Sequence, residues 1–340
     1  MKNTFFALSA IAAVTATVAP MQASASNEEV VVYCSVDDNW CRIMADSFQR
    51  ETGINVLMTR RSSGETYAQI RAESGQPRGD IWWGGTGDPH LQAAEEGVTV
   101  SYKSPKLNQL QDWAVSQAEA SDYKTVGVYA GGLGFGYNTD LIRKDQPQCW
   151  ADLLNSDLKD DIQVANPNSS GTAYTLLATL VQLFGEDEAF EYLTKLNGNI
   201  NQYTQSGGAP IRAAGTGETA VGIVFMHDAV AQSAQGAPIV TVSPCEGTGY
   251  EIGSMSLIKD GPNPEAAKKW YDWALTADAQ SLAIEANSYQ VPSNKQAKTS
   301  PQAPKLSDIK LIDYDFKLYG SSDERARLLK RWDDEIGSLL

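Results

Sequence analysis

Strand-like and helix-like segments alternate along the first part of the chain. Residues 30–34, 54–58 and 80–83 are short runs rich in β-branched and aromatic residues, a composition typical of buried strands. Between the first two runs, apolar residues recur at helical spacing from 40 to 48. This order and spacing predict an α/β fold, in which a parallel sheet carries helices on both faces.

A glycine-rich strand separates this region from a second α/β set. Residues 126–137 are β-rich, but glycines interrupt them at a spacing that does not match a dinucleotide-binding fingerprint. Such a strand indicates a close backbone approach or a bend, and we interpret it as the first crossover between two lobes. The later elements are predicted as strands at 162–165, 221–226, 239–242 and 252–258, a helix at 173–184, a helix beginning at Asn263-Pro264 and a helix after Ser322.

The first 25 residues have the pattern of a secretory signal peptide. Lys2 supplies the positive start, residues 5–18 are mostly apolar, and Ala23-Ser24-Ala25 is a cleavage site. The apolar run is short for a membrane span, and no later stretch is long enough to cross a bilayer. We therefore expect an exported, soluble protein.

Length and charge narrow the class of protein further. A chain of 340 residues favours two domains over one. The formal charge is −15, and no basic block offsets it, which argues against nucleic-acid binding.

Four cysteines in an exported chain indicate two disulfides, for which three pairings exist. Cys34 and Cys41 are near neighbours and form the obvious local pair, which leaves Cys149 with Cys245. The alternative is a thiolate metal site. It is disfavoured because the chain has no pair of CxxC motifs and only two histidines.

A hydroxyl-rich segment lies at the start of a predicted helix. Asn168-Ser169-Ser170-Gly171-Thr172 directly precedes the apolar positions of the helix at 173–184. The first turn of a helix leaves backbone N–H groups unpaired and carries a partial positive charge, so such a segment can bind phosphate without lysine. The alternative is an ordinary N-cap, which every helix favours.

Three further hydroxyl-bearing stretches follow predicted strands. Ser62-Ser63-Gly64 precedes a helix beside Arg60-Arg61, Ser35 follows the first strand, and Thr86 lies in the glycine-rich loop 84–89. Ligands of open α/β sheets gather outside the carboxyl ends of the strands. We therefore predict a small-anion pocket built from these stretches. The two arginines either line it or are solvated surface charge.

Three polar residues, His227, Asp228 and Glu251, suit a polyol, and we call them the polar triplet. His227-Asp228 ends the strand predicted at 221–226, and Tyr250-Glu251 follows Cys245. A carboxylate accepts two sugar hydroxyls at once, and a neutral imidazole both donates and accepts a hydrogen bond. The alternative is a capping aspartate beside a merely buried histidine.

Enzymatic motifs are missing from the sequence. There is no GxSxG elbow, no GxxxxGK[ST] loop and no HExxH helix. Apart from His227, the only imidazole belongs to His90, which we predict to be a surface residue. We expect a binding protein without catalytic residues and without a cofactor or metal.

Eight segments carry a resemblance to a known family: Val32-Tyr33-Cys34-Ser35, residues 84–89, 169–175, 202–207, His227-Asp228, residues 244–251, 311–316 and 322–325. They resemble the exported solute-binding proteins of ABC importers, of the two-lobed type related to ferric-ion-binding proteins. The similarity is closest to the hexose-phosphate-binding branch. These segments span nearly the whole mature chain.

The resemblance implies the α/β, two-lobed fold of a type II periplasmic binding protein, with a ligand cleft between lobes joined by crossing strands. Lobe 1 is expected at 26–130 and 253–340 and lobe 2 at 131–252, with the C-terminal helices packing on either lobe. Both cysteine pairs match the branch, which supports the disulfides Cys34–Cys41 and Cys149–Cys245.

The resemblance also assigns candidate ligand contacts. Phosphate is expected at Ser35, Ser63, Thr86, Ser170, Gly171 and Thr172, and the sugar hydroxyls are expected at His227, Asp228 and Glu251. Ser62 and Glu65 depart from the small residues expected in the second anion loop, which puts the fit of that loop in question.

The implied function is capture of a hexose 6-phosphate, such as glucose 6-phosphate or fructose 6-phosphate, by hinge closure of a monomer that docks on a membrane permease. Two alternatives remain open: a phosphonate or another organic phosphate, and a ferric ion. Ferric binders carry an adjacent tyrosine pair after the strand predicted at 221–226, and this sequence contains no Tyr-Tyr.

Overall fold

A computed structural model describes Met1 and residues 28–339. Apart from Met1, the predicted signal peptide lies outside the described residues. Among the described residues, no helix combines the length and apolar character needed to cross a membrane.

The strands of the described chain are β1 Glu29–Cys34, β2 Asn55–Arg60, β3 Ile81–Trp83, β4 Thr99–Val100, β5 Val126–Asn138, β6 Ile162–Ala165, β7 Ile200–Thr204, β8 Val221–Phe225, β9 Ile239–Val242, β10 Tyr250–Ile258 and β11 Val291–Pro292. The α-helices are α1 Asp38–Thr52, α2 Ser63–Ala72, α3 Gly87–Glu95, α4 Asp112–Ala120, α5 Gly171–Phe184, α6 Glu186–Asn197, α7 Ala209–Thr216, α8 Met226–Ala234, α9 Pro264–Ala274, α10 Ala277–Ser281, α11 Phe316–Tyr319 and α12 Ser322–Glu335.

The sheet is mixed rather than purely parallel. Its strands follow the order β2-β1-β3-β10-β5-β8-β6-β7. The expected parallel pairing holds for β1 with β2 and β3, and for β6 with β7 and β8. At the centre of the sheet β10 runs antiparallel between β3 and β5, outside the opening strands for which parallel pairing was predicted. The reason is that β10 returns from the second half of the chain.

The two largest hydrophobic cores of the described residues lie at opposite ends of strand β5. The first is built around β1, β3 and α1, and includes Trp40, Phe48 and Trp270. The second is built around β6, β8 and α5, and includes Phe135 and Trp150. We call each core with the elements packed on it lobe 1 and lobe 2, respectively. The residue boundaries given for the two lobes stay a prediction.

β5 connects the two lobes. Its first half pairs with β10 and β11 and its second half with β8 and β9. The glycines in this strand make room for lobe-2 side chains. A Cβ on Gly131 would lie 2.4 Å from Nδ1 of His227, and one on Gly134 would lie 2.9 Å from Cγ of Met226.

The C-terminal segment packs on lobe 2. Tyr314, Tyr319, Leu328 and Trp332 are all members of the second core. Both disulfides are present: Cys34–Cys41 in lobe 1 and Cys149–Cys245 in lobe 2.

Three local predictions are wrong. The loop predicted at 84–89 ends earlier, because α3 begins at Gly87. The strand predicted at 221–226 ends at Phe225, and Met226 begins α8. His90 is fully buried rather than at the surface, because its ring stacks on Trp82 and both ring nitrogens have partners in Ser256 and the Gly84 carbonyl.

Candidate functional site

Six helices begin at one cavity between the two lobes. The residues that precede their first turns all line this cavity: Asp37, Ser62 and Thr86 before α1, α2 and α3, and Ser170, Gly208 and Phe225 before α5, α7 and α8. Three of these helices belong to each lobe. Because each N-terminus carries unpaired N–H groups and about half a positive charge, the cavity attracts anions without needing many cationic side chains.

All nine residues predicted to contact a ligand line this cavity: Ser35, Ser63, Thr86, Ser170, Gly171, Thr172, His227, Asp228 and Glu251. The structure thus brings together residues that are separated by more than two hundred positions in the sequence. Their individual roles stay predictions at this point.

Hydroxyl groups on the lobe-1 side are held by their neighbours. Oγ of Ser35 accepts a hydrogen bond from the Trp82 indole at 2.9 Å, and Oγ of Ser63 accepts one from the Thr86 N–H at 3.2 Å. Ser63 therefore keeps its own proton available for a further bond, whereas Oγ of Ser35 also shares a hydrogen bond of 3.0 Å with Oγ1 of Thr66. Oγ1 of Thr86 is buried and has no hydrogen-bond partner among the described residues. A buried hydroxyl without a partner is costly, so it favours a ligand at this position.

The lobe-2 side is the start of α5. Gly171 meets Thr86 across the cleft so closely that a Cβ there would lie 1.8 Å from Oγ1 of Thr86. Gly207 is packed in the same way against Oγ1 of Thr172, at 2.1 Å. Glycine at these two positions lets backbone and hydroxyl groups from both lobes converge on one small volume.

The polar triplet lies at the far side of the cavity. Nε2 of His227 is 3.5 Å from Oδ1 of Asp228 and 3.7 Å from Oε1 of Glu251. Burial lowers the pKa of His227 to about 3, so the imidazole is neutral at physiological pH. Burial and the nearby Asp37 carboxylate raise the pKa of Asp228 well above its usual range. Burial and the nearby Asp228 carboxylate do the same to the pKa of Glu251.

The cavity includes residues that the sequence reasoning missed. The most informative are Asp37, Tyr129 and Gln290, and Arg60 is the member of Arg60-Arg61 that lines it. The hydroxyl of Tyr129 accepts a hydrogen bond from the Gly85 N–H at 2.9 Å, which leaves its proton free to donate. Asp37 lies two residues beyond Ser35, so the end of β1 was the available signal. Gln290 lies in a coil segment that gives none.

The two lobes contact each other directly beside the cavity. We call this contact the clasp: the start of α2, residues 62–65, against residues 168–169 and 205 of lobe 2. The Gly64 N–H donates to the Ser169 carbonyl at 3.1 Å, and Oγ of Ser62 donates to the Gln205 carbonyl at 3.3 Å. The Gln205 side-chain amide also donates to the Glu65 carboxylate.

The clasp accounts for the two departures noted at Ser62 and Glu65. The Glu65 carboxylate accepts a hydrogen bond from the Ser62 N–H at 3.1 Å, which caps α2. The same carboxylate holds Gln205. Both residues therefore join lobe 1 to lobe 2 in the described structure, and the fit of the anion loop stays a prediction.

A thiolate metal site is contradicted by the disulfides. Among the described residues, one group offers three ligands of the metal-binding kind: Cys149, Cys245 and Glu246. The two sulfur atoms are bonded to each other, so they are not available as thiolates.

Comparison with known proteins identifies the family. Residues 86–318 match the family described as bacterial extracellular solute-binding protein. This chain belongs to that family. The predicted location outside the cytoplasm, in the periplasm, is confirmed by it, as is the predicted resemblance to two-lobed solute-binding proteins.

Individual relatives cover almost the whole chain. The periplasmic binding protein AfuA from Actinobacillus pleuropneumoniae, solved with exogenous fructose 6-phosphate bound, is 44% identical, with a TM-score of 0.89 over 92% of this chain and 99% of that one. The periplasmic binding protein P5PA is 39% identical, with a TM-score of 0.88 over 91% of this chain and 99% of the other. An uncharacterized protein of Haemophilus influenzae is 41% identical over 312 residues, which are 90% of each chain.

Proposed function

We propose that this solute-binding protein captures a hexose 6-phosphate, such as fructose 6-phosphate or glucose 6-phosphate, and delivers it to the membrane permease of an ABC importer. The observation that carries the proposal is the meeting of six helix N-termini, three from each lobe, at one cavity. AfuA, the relative solved with fructose 6-phosphate, is 44% identical to this chain, which supports the same ligand class.

The phosphate group is held between the two lobes. Lobe 1 offers the hydroxyls of Ser35, Ser63 and Thr86, and lobe 2 offers Ser170, Thr172 and the first N–H groups of α5. Hydrogen bonds from neutral donors to an oxyanion are charge-assisted and stronger than neutral pairs. A dianion therefore gains from both lobes at once, which is the condition for closure, since a ligand shifts a conformational equilibrium only by its differential affinity.

The sugar hydroxyls lie at the polar triplet. Asp228 and Glu251 accept hydroxyl donors, and neutral His227 donates or accepts one bond. Phe225 and Tyr129 flank these groups and supply apolar surface for the ring carbons. No bond of the ligand is made or broken in this scheme, so we propose capture and release without chemistry.

Ferric binding is a poorer fit to the cavity. Tyr129 is the single tyrosine among the described residues that line it, and its hydroxyl is hydrogen-bonded to Gly85. A trivalent cation would also meet six positive helix ends. The same helix ends favour a phosphate dianion.

The proposal is tested by thermal unfolding with matched ligands. Fructose 6-phosphate and glucose 6-phosphate are each added at millimolar concentration, beside fructose, glucose, inorganic phosphate and ferric citrate. A ligand present at 1,000 times its Kd adds about 4 kcal/mol to the unfolding free energy, which is a rise of several degrees in Tm. Equal stabilisation by glucose and glucose 6-phosphate would exclude an anion site, and stabilisation by ferric citrate alone would exclude the proposal.

A pair of variants checks the residues. Thr172→Val removes a cavity hydroxyl while keeping the shape of the side chain. Thr216→Val makes the same change at the exposed end of α7. We expect Thr172→Val to raise the Kd for fructose 6-phosphate by roughly 10- to 150-fold, because a hydrogen bond to a charged group contributes about 1.5–3 kcal/mol. Thr216→Val should leave Kd unchanged.

A further inference from the structure

Two carboxylates, one buried and one partly buried, face the sugar end of the cavity without a hydrogen bond. Glu251 is 4% exposed, the Asp228 side chain is 16% exposed, and both line the cavity. Neither carboxylate accepts a hydrogen bond from any residue that the structure describes. A nearly buried carboxylate of this kind requires a donor, a cation or a proton to offset its desolvation.

The arrangement brings the two carboxylates close together. Oδ1 of Asp228 and Oε1 of Glu251 lie 3.5 and 3.7 Å from the same nitrogen, Nε2 of His227. They are therefore separated by at most the sum of these two distances. An ammonium nitrogen at charge-assisted hydrogen-bond distance, about 2.8 Å, from each oxygen requires the two oxygens to lie no more than about 5.6 Å apart, a separation that this upper bound allows.

The surroundings do not neutralise the pair. Asp37 adds a negative charge near Asp228. Asp88 lies near Glu251, but burial raises the pKa of Asp88 to about 7 and Arg325 opposes its charge, so it adds little. Arg60 and Arg212 are the facing cations, but Arg60 is held by the Val36 carbonyl and Oγ of Ser206, and Arg212 lies 3.6 Å from Asp37.

The two remaining titratable groups supply no positive charge. His227 lies against both carboxylates and is neutral, and Tyr129 keeps its proton because burial raises its pKa. The sugar end therefore holds more negative charge than positive, although the same cavity has to accept a phosphate dianion.

A neutral sugar leaves this imbalance in place. Its hydroxyls donate hydrogen bonds but carry no charge, so the Asp228–Glu251 pair retains a proton to avoid like-charge repulsion. A ligand with an ammonium group in place of one hydroxyl removes the repulsion and lets both carboxylates ionise, with release of that proton.

We infer that the sugar end of the cavity is a cation subsite, so that the ligands include amino sugar phosphates, whose ammonium group lies between Asp228 and Glu251. The inference rests on the proposed function, because it assigns the phosphate of the same ligand to the six helix N-termini. In this inference, Asp228 and Glu251 distinguish a hexosamine phosphate, whose sugar carries an ammonium group, from a hexose phosphate, whose sugar is uncharged.

The test compares glucosamine 6-phosphate with glucose 6-phosphate by titration calorimetry at pH 5.5–7.0. The phosphate second pKa of about 6 is common to both ligands and cancels in the ratio of their Kd values. We expect glucosamine 6-phosphate to bind more tightly at pH 7.0, by fivefold or more. Its advantage should grow by up to tenfold per pH unit, since its binding releases one more proton. Heats in buffers of different ionisation enthalpy measure that proton directly.

Two variants separate the possible outcomes. Glu251→Gln removes one carboxylate and should abolish both the preference and its pH slope. Asp112→Asn makes the same chemical change at a side chain that is 99% exposed and should preserve them. If both ligands bind the wild type with a pH-independent ratio near one, the cation subsite is wrong while the proposed function stands. If neither ligand binds, the proposed function itself has failed.

Discussion

Gly64 offers a way to separate lobe closure from ligand contact. It lies in the clasp, outside the set of residues that line the cavity. A Cβ at this position would lie 2.6 Å from the Asn168 carbonyl oxygen and 2.8 Å from the Ser169 carbonyl oxygen, both on the opposite lobe. Backbone carbonyls cannot rotate away, so in Gly64→Ala the lobes have to stop short of the arrangement described above.

Gly64→Ala should weaken ligand binding by the closed protein, but it should not destabilise the ligand-free protein. Overpacking typically costs about 1–3 kcal/mol, so the closed complex should be weakened about 5- to 150-fold for every ligand. Gly64 lies inside the first turn of α2, where alanine is favoured over glycine by about 0.5–1 kcal/mol. The ligand-free protein, with its lobes apart, should therefore unfold at an equal or slightly higher temperature.

The Kd for fructose 6-phosphate, measured by calorimetry, reports the effect on binding. The melting temperature of the ligand-free protein reports the effect on stability. Gly75→Ala is the matched control, because a Cβ there meets nothing within 4 Å. An unchanged Kd in Gly64→Ala would show that ligand binding does not require this contact. A lower ligand-free Tm would show that the lobes are already clasped without ligand, and the account of closure would be wrong.

Three other outcomes follow from the same geometry. Gln205→Ala should weaken fructose 6-phosphate and inorganic phosphate by the same factor, about two- to tenfold, because the Gln205 amide bonds Glu65 rather than the ligand; unequal factors by calorimetry would contradict this. Asp228→Ala should weaken sugar phosphates far more than inorganic phosphate, and equal weakening would remove Asp228 from the sugar contacts. Burial lowers the pKa of His90 to about 3 from the usual 6.5, so its contribution to stability is complete above pH 6.5 and is lost as pH falls towards 3. The free energy of unfolding of His90→Gln, measured by urea denaturation, should accordingly fall less steeply between pH 7 and pH 4.5 than that of the wild type.

The sequence could predict those parts of the fold that depend on local pattern. The strands at 162–165 and 239–242 and the start of α9 at Pro264 are where periodicity and capping residues indicate them. The antiparallel course of β10 could not be predicted in this way, since a buried strand has the same composition in either direction. It becomes fixed only when the chain returns to pair with β3 and β5.

The site was predictable as far as its residues follow strands or begin helices. Ser35, Thr86 and the segment 168–172 do so. Hydroxyl groups at the ends of strands and at the starts of helices indicate a ligand site, because anions and other ligands bind at these positions. His90 was placed wrongly because its stacking on Trp82 is a tertiary contact between residues whose local pattern does not reveal it. The clasp was missed for the same reason: Glu65 and Gln205 are 140 positions apart, and no local pattern pairs one with the other.

Under the proposed function, an acidic protein would hold a dianion because the positive potential at its site comes from backbone dipoles that are divided between the lobes. With the lobes together, six helix N-termini act on one small volume. With the lobes apart, each half retains three, and solvent screens them. Opening therefore weakens the hold on phosphate without any residue changing its charge. A lysine bound to the phosphate on one lobe would keep its ligand after opening, whereas this arrangement loses much of its affinity at the moment when release is needed.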